Sequence, residues 1–253
     1  MEVKIIHTSE QAKGEFDGGK IIEQKPIGFS GEGSVISRLG PLFYWAWGQA
    51  KGAGGIGEHP HQGFEILTYI LSGKGFHKDS LGNQSEVDAG GVQLMQTGSG
   101  MWHAEGSDGP AEMFQIWLEP YLNDAIKRTP NYSKYKNEEF PVIQGEGVTI
   151  KTILGTDSPI NLITDAFMYD IEISNSSSYQ LTLTPNRTIA GLAIRGDGGK
   201  IVQQELSFDK KDFIIIQSEK TETITIKPKG DSLRIVFIEI PTQVEYPLYP
   251  KDR

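Results

Sequence analysis

Short runs rich in Ile, Val, Tyr, Phe and Thr, each ended by a turn, constrain the fold of this chain more than any other feature. VKIIH (3–7), EILTYIL (65–71), EMFQIWL (112–118), YQLTLT (179–184), DFIIIQ (212–217) and LRIVFIEI (233–240) are examples. Clusters such as DSLGN (79–83), SDGP (107–110) and TPNR (184–187) separate them, which is the pattern of an all-β sandwich or barrel. The best helix candidate is YLNDAIK (121–127), and it leads into the polar, proline-bearing stretch 128–141, a domain boundary by composition.

At 253 residues the chain can bury a sizeable core, as one large domain or two smaller ones. Three comparisons between the halves favour two. YILSGKG (69–75) resembles LAIRGDG (192–198), EVDAGGVQLMQ (86–96) resembles ELSFDKKDFIIIQ (205–217), and MFQIWLEP (113–120) resembles RIVFIEIP (234–241). The expected organisation is therefore a first β-module over 1–125, a linker over 126–147 and a second β-module over 148–253. Histidine is confined to the first module, with none after His103.

Charge and composition exclude several functions. A net charge of -9 with pI near 5.1 argues against a nucleic-acid surface, which needs a basic face. No cysteine is present, so disulfides, thiolate metal sites and cysteine nucleophiles are excluded. MEVKIIHTSE lacks the pattern of a secretory signal, and no segment has the apolar length of a membrane span. A cytoplasmic protein without membrane partners is the expectation.

Two motifs share the stretch GAGGIGEHPHQGFE (52–65). Gly52, Gly54 and Gly57 fit GxGxxG, which holds a pyrophosphate only where a strand enters the loop and a helix leaves it. Pro60, Gly63 and the β-branched run that follows predict a strand instead, so the glycines read as a mobile approach to it. His59 and His61 are another matter. In a strand, residues two apart share a face, so these imidazoles point together, and Glu65 shares their parity if the strand runs on unbroken. His103 and Glu105 form a second pair with the same spacing. Two strands presenting two ligand-type side chains each make a set of three nitrogens and one oxygen. Such a set suits Fe(II), Mn(II), Ni(II), Cu(II), Co(II) or Zn(II) and leaves positions open for substrate or oxygen.

The segment from HPHQGFE (59–65) through HKDSLGN (77–83) and GVQLMQTGSGMWHAE (91–105) to FQIWL (114–118) resembles the first module of the pirin family. That resemblance implies a bicupin fold, two jelly-roll (double-stranded β-helix) barrels of which the second has lost its ligands. It also implies one metal, most often iron, held by His59, His61, His103 and Glu105. Glu65 becomes a supporting carboxylate that orients an imidazole or a water. His77 has no ligand role in that pattern and reads as structural, and His7 reads as solvated. Gln62 and Ser99 depart from the family pattern, as does PLFYWAWGQAKG (41–52). The ending FIEIPTQVEYPLYPKDR lacks the additional segment that packs toward the first module in longer members.

Pirin-like proteins from bacteria are linked to quercetin 2,3-dioxygenase activity, the cleavage of a flavonol ring by O2. The resemblance thus implies a metal-dependent dioxygenase acting on a small aromatic substrate, with Glu105 as ligand and base and Glu65 in support. Phe64, Tyr69, Trp102 and Trp117 are candidates for its pocket wall. The alternative from another class is a metal-binding or redox-sensing regulator that acts by binding a protein partner. A metal-dependent hydrolase is disfavoured, because Gly63 stands where HxHxD requires an acid.

Overall fold

The computed structural model describes residues 1–250 and is almost entirely β-structure, with one four-residue α-helix, Leu122–Ala125, inside the stretch expected to be helical. Four sheets form, two of seven strands and two of four. The first seven-stranded sheet runs Asn131–Tyr135, Val92–Gln96, Glu65–Ser72, Ala111–Leu118, Leu42–Ala50, Ile21–Ile27, Ala12–Phe16. The second runs Glu2–Ile6, Phe213–Gln217, Arg187–Gly196, Ser232–Pro241, Phe167–Ser174, Val148–Leu154, Val142–Gly145. The two four-stranded sheets run Gly54–His61, Met101–Ser107, Lys74–Asp79, Gln84–Asp88 and Tyr179–Leu183, Glu222–Pro228, Gly199–Ile201, Leu206–Phe208. Within each pair the strands correspond place for place, which gives the sequence repeat its structural meaning. Each module is a two-sheet jelly roll, the bicupin architecture, although hydrogen bonding does not close the sheets into barrels.

Compactness does not follow chain order. One unit holds residues 10–139, 162–164 and those from Val244 onward; the other holds 1–9, 140–161 and 165–243. The stretch read as a linker is largely built into sheets: Asn131–Tyr135 pairs with Val92–Gln96, and Val142–Gly145 pairs with Val148–Leu154. Its polar, proline-bearing composition is that of edge strands with one solvated face, which local sequence does not separate from a linker. The chain's ending also differs from expectation. Tyr246 donates its hydroxyl to the Glu119 carbonyl at 2.7 Å, and the Tyr249 amide donates to the Glu119 carboxylate at 2.5 Å. Arg38 holds the other oxygen of that fully buried carboxylate at 2.8 Å. The last described residues thus pack into the first unit themselves.

The glycine stretch is strand rather than mobile approach. Gly54 begins the strand Gly54–His61 and pairs with Ser107. A side chain at Gly106 would put a Cβ 2.3 Å from the Gly54 carbonyl oxygen, so the two strands need bare backbone where they meet. In the second unit, Ile171, Leu183, Ile214, Ile224, Ile226 and Ile235, drawn from both sheets, form the core. No helix among the described residues is long and apolar enough to cross a membrane.

Candidate metal centre

Three imidazoles converge in the first module. His59 and His61 lie on Gly54–His61, and His103 lies on Met101–Ser107 directly opposite His59. One donor atom from each of the three lies within 4.8 Å of the others. The His59 Nδ1–H donates to the Gly57 carbonyl at 2.8 Å, which fixes the tautomer and leaves Nε2 as a free lone pair. His61 Nε2 and His103 Nε2 face each other at 3.1 Å. Burial holds both rings well below the usual imidazole value, with neighbouring histidines pushing the same way: His61 to about 4 and His103 to about 2. Both are therefore neutral ligands at neutral pH. The buried His103 Nδ1 has no partner. Ring nitrogens gathered in this way fit a divalent transition metal.

Glu105 lies on the same strand and interior face as His103 but outside the histidine group. Gln115 Nε2 donates to its Oε1 at 2.5 Å, and the Trp117 indole N–H donates to Gln115 Oε1 at 3.0 Å. Burial pushes the Glu105 carboxyl up, opposed by the Gln115 hydrogen bond and by His59. Gln115 was not singled out by sequence, although FQIWL places it two residues before Trp117 on the same face. Trp117 also meets His61 edge-on, with centroids 4.7 Å apart.

Glu65 is placed elsewhere. The strand Gly54–His61 ends before it, Gly63 turns the chain at φ 82°, and Glu65 opens a strand of the other sheet. The parity argument required a continuous strand, and the turn breaks it. The buried Glu65 carboxylate instead accepts from Gln96 Nε2 at 2.8 Å, the Ile163 amide at 2.8 Å and the Thr164 amide at 2.9 Å.

His77 is structural in its contacts, with its Nε2 2.9 Å from Asp79 and its ring stacked on Tyr132 at 4.0 Å. Asp79 also accepts from the Leu81 and Asn83 amides and from the Asn83 side chain, so HKDSLGN is a self-bonded turn. The His77 ring lies 5.4 Å from that of His103, centroid to centroid. His7 is exposed as expected, yet it meets the buried Asp212 at 3.1 Å. Of the aromatic candidates, Trp117 and Phe64 stack near His61, Tyr69 is buried, and Trp102 is 50% exposed. A mouth of about 520 Å³, lined by Pro60, His61, Gln62, Ser99 and Trp102, opens beside the histidines.

Residues 43–118 match the Pirin family. A pirin-like protein of Caulobacter vibrioides is 33% identical over 138 residues, 50% of this chain and 49% of that one. A quercetin 2,3-dioxygenase of Escherichia coli K12 is 37% identical over 99 residues, 38% of this chain and 40% of that one. The chain thus spans about half or less of the length of these relatives. The crystal structure of the E. coli pirin YhhW in complex with nickel(II) superposes with a TM-score of 0.79 at 22% identity, covering 96% of this chain and 100% of that one.

Proposed function

We propose that this chain, whose residues 43–118 form a Pirin domain, is a metal-dependent dioxygenase that cleaves a flavonol or a similar enolisable aromatic. One observation carries the proposal: the imidazoles of His59, His61 and His103 gather on two paired strands, with His61 at the mouth and the buried Glu105 carboxylate on the strand of His103. His59, His61 and His103 would hold the metal, with Glu105 as the fourth ligand. Fe(II) is proposed, and the nickel in the E. coli pirin structure makes Ni(II) the first alternative.

When bound, the metal supplies a Lewis acid that acidifies the substrate hydroxyl and orients the enolate for O2. The protein supplies the rest. Glu105, its affinity for a proton increased by burial, accepts the hydroxyl proton. Gln115 keeps that carboxylate aimed, and Trp117 keeps Gln115 in place. The ring of Trp102 at the mouth gives a flat substrate an apolar surface. Glu65 has no part in this scheme, because its oxygens are engaged elsewhere.

Protein purified anaerobically is expected to carry about one metal per chain, lost in His103→Ala. Oxygen uptake and carbon monoxide release with quercetin test the activity, and no uptake with any metal form rejects it. The exposed Trp102 at the mouth supports a second reading, a metal-binding regulator that docks a protein partner. A metal-loaded but inactive protein would favour it.

A further inference from the structure

The second module keeps the outline of a site after losing its ligands. Strand correspondence and pairing set Leu181 and Leu183 at the places of His59 and His61, and Ile224, opposite Leu181, at the place of His103. Leu183 and Ile224 are fully buried, but these side chains do not fill the mouth. A cavity of about 240 Å³ remains, lined by Tyr169, Tyr179, Phe237, Leu181, Ile189 and Glu239, together with Gln180 and Thr182. An apolar cavity of roughly 150 Å³ already accommodates benzene, so this space admits one substituted aromatic ring.

Glu239, Tyr169, Tyr179, Gln180 and Thr182 supply its polar groups. Glu239 Oε1 takes the Arg187 Nε–H at 2.8 Å, and its second oxygen accepts no hydrogen bond among the described residues. Among the described residues, no hydrogen bond engages the hydroxyls of Tyr169 and Tyr179. Burial, reinforced by Glu239, pushes both phenols up, Tyr179 to about 12, so both are hydrogen-bond donors at neutral pH. An anion would face the Glu239 carboxylate. A cation would have to displace Arg187, which holds Glu239 through Nε and Asp165 through Nη1. A neutral ring with its own hydroxyls suits the Glu239 carboxylate and both phenols, with Gln180 and Thr182 as further polar neighbours.

We propose that this cavity is a second ligand site, selective for a small neutral phenol whose O–H donates to Glu239 and whose oxygens accept from Tyr169 and Tyr179. The site is independent of the metal centre, and its test does not need activity. Full-length His103→Ala protein, in which the metal site cannot compete, is titrated with catechol, benzoate and phenethylammonium by calorimetry, with ligand-observed NMR as a second readout. Catechol is expected to bind at least about tenfold more tightly than either charged probe, a difference of ~1.4 kcal/mol. Tyr179→Phe and Glu239→Gln should each weaken it several-fold, and Leu181→Trp, which fills the cavity, should abolish it while the thermal transition stays cooperative. The proposal is overturned if His103→Ala shows no saturable catechol binding, if the three probes bind alike, or if Tyr179→Phe, which removes one oxygen and no bulk, binds unchanged.

Discussion

Two glutamates that look alike in sequence separate into different jobs once their partners are known. Glu105 is joined through Gln115 to Trp117 and lies on the interior face that carries His103, while Glu65 anchors the backbone at Ile163 and Thr164. Glu65→Ala would take the acceptor from the buried Thr164 amide and the part-buried Ile163 amide, so it is expected to destabilise the fold by about 2 kcal/mol. Metal content should stay unchanged, and a loss of metal in a folded Glu65→Ala protein would return Glu65 to the site. Glu105→Gln should do the opposite. Its stability should change little, while turnover falls by roughly 10²–10⁴-fold through loss of the proton acceptor, read as kcat with quercetin at saturating metal. At this scale the histidines were legible because the HxH spacing is a local property of one strand. Gln115 was not, because its role depends on pairing across the sheet.

The strands Gly54–His61 and Met101–Ser107 carry His59, His61 and His103, so their register sets the candidate site. His103 pairs with His59 and Glu105 with Ile56, an extra residue on the first strand that forms a bulge beside the ligands. The bulge is flanked by glycine contacts: a Cβ on Gly106 would lie 2.3 Å from the Gly54 oxygen and 2.7 Å from the Gly55 Cα. Backbone cannot yield as a flexible side chain would, so Gly106→Ala is expected to force the strands apart and destabilise by about 1–3 kcal/mol. Because the displacement acts on the register itself, metal affinity should fall as well, measurable by competition with a chromophoric chelator. Gly52→Ala is the control, since its added Cβ meets nothing within 4 Å. Equal affinity in both variants would sever the link between strand spacing and the metal centre. The sequence showed a glycine-rich stretch here and suggested a loop. The structural reason for those glycines, close approach to a second strand, lies outside any local window.

Across the whole molecule, the duplication was readable in three short matches because each falls at strands that pair in the same order in both modules. The membership of the compact units was not, since the first strand, Glu2–Ile6, pairs with Phe213–Gln217 far along the chain. The same contrast between the modules bears on stability. The second module has no histidine cluster, but it buries Lys151, whose ammonium lies over the Phe140 ring at 4.8 Å. Burial lowers that lysine from its ordinary value to about 8, with Arg234 acting in the same direction and Asp170 opposing. Below pH 8 the folded protein carries a desolvated charge that the unfolded chain keeps in water. Between about 8 and 10.5 the unfolded chain binds more protons than the folded one, so stability rises with pH through that window. Partial solvent screening limits the gain to on the order of 1 kcal/mol. Urea midpoints are expected to increase from pH 7.5 to 9.5, a range chosen to end before unfolded tyrosines ionise near about 10. Lys151→Met should raise the midpoint at pH 7.5 and flatten the rise, because the methionine keeps the apolar contact with Phe140 and carries no proton. An unchanged slope in Lys151→Met would assign the pH dependence to another group.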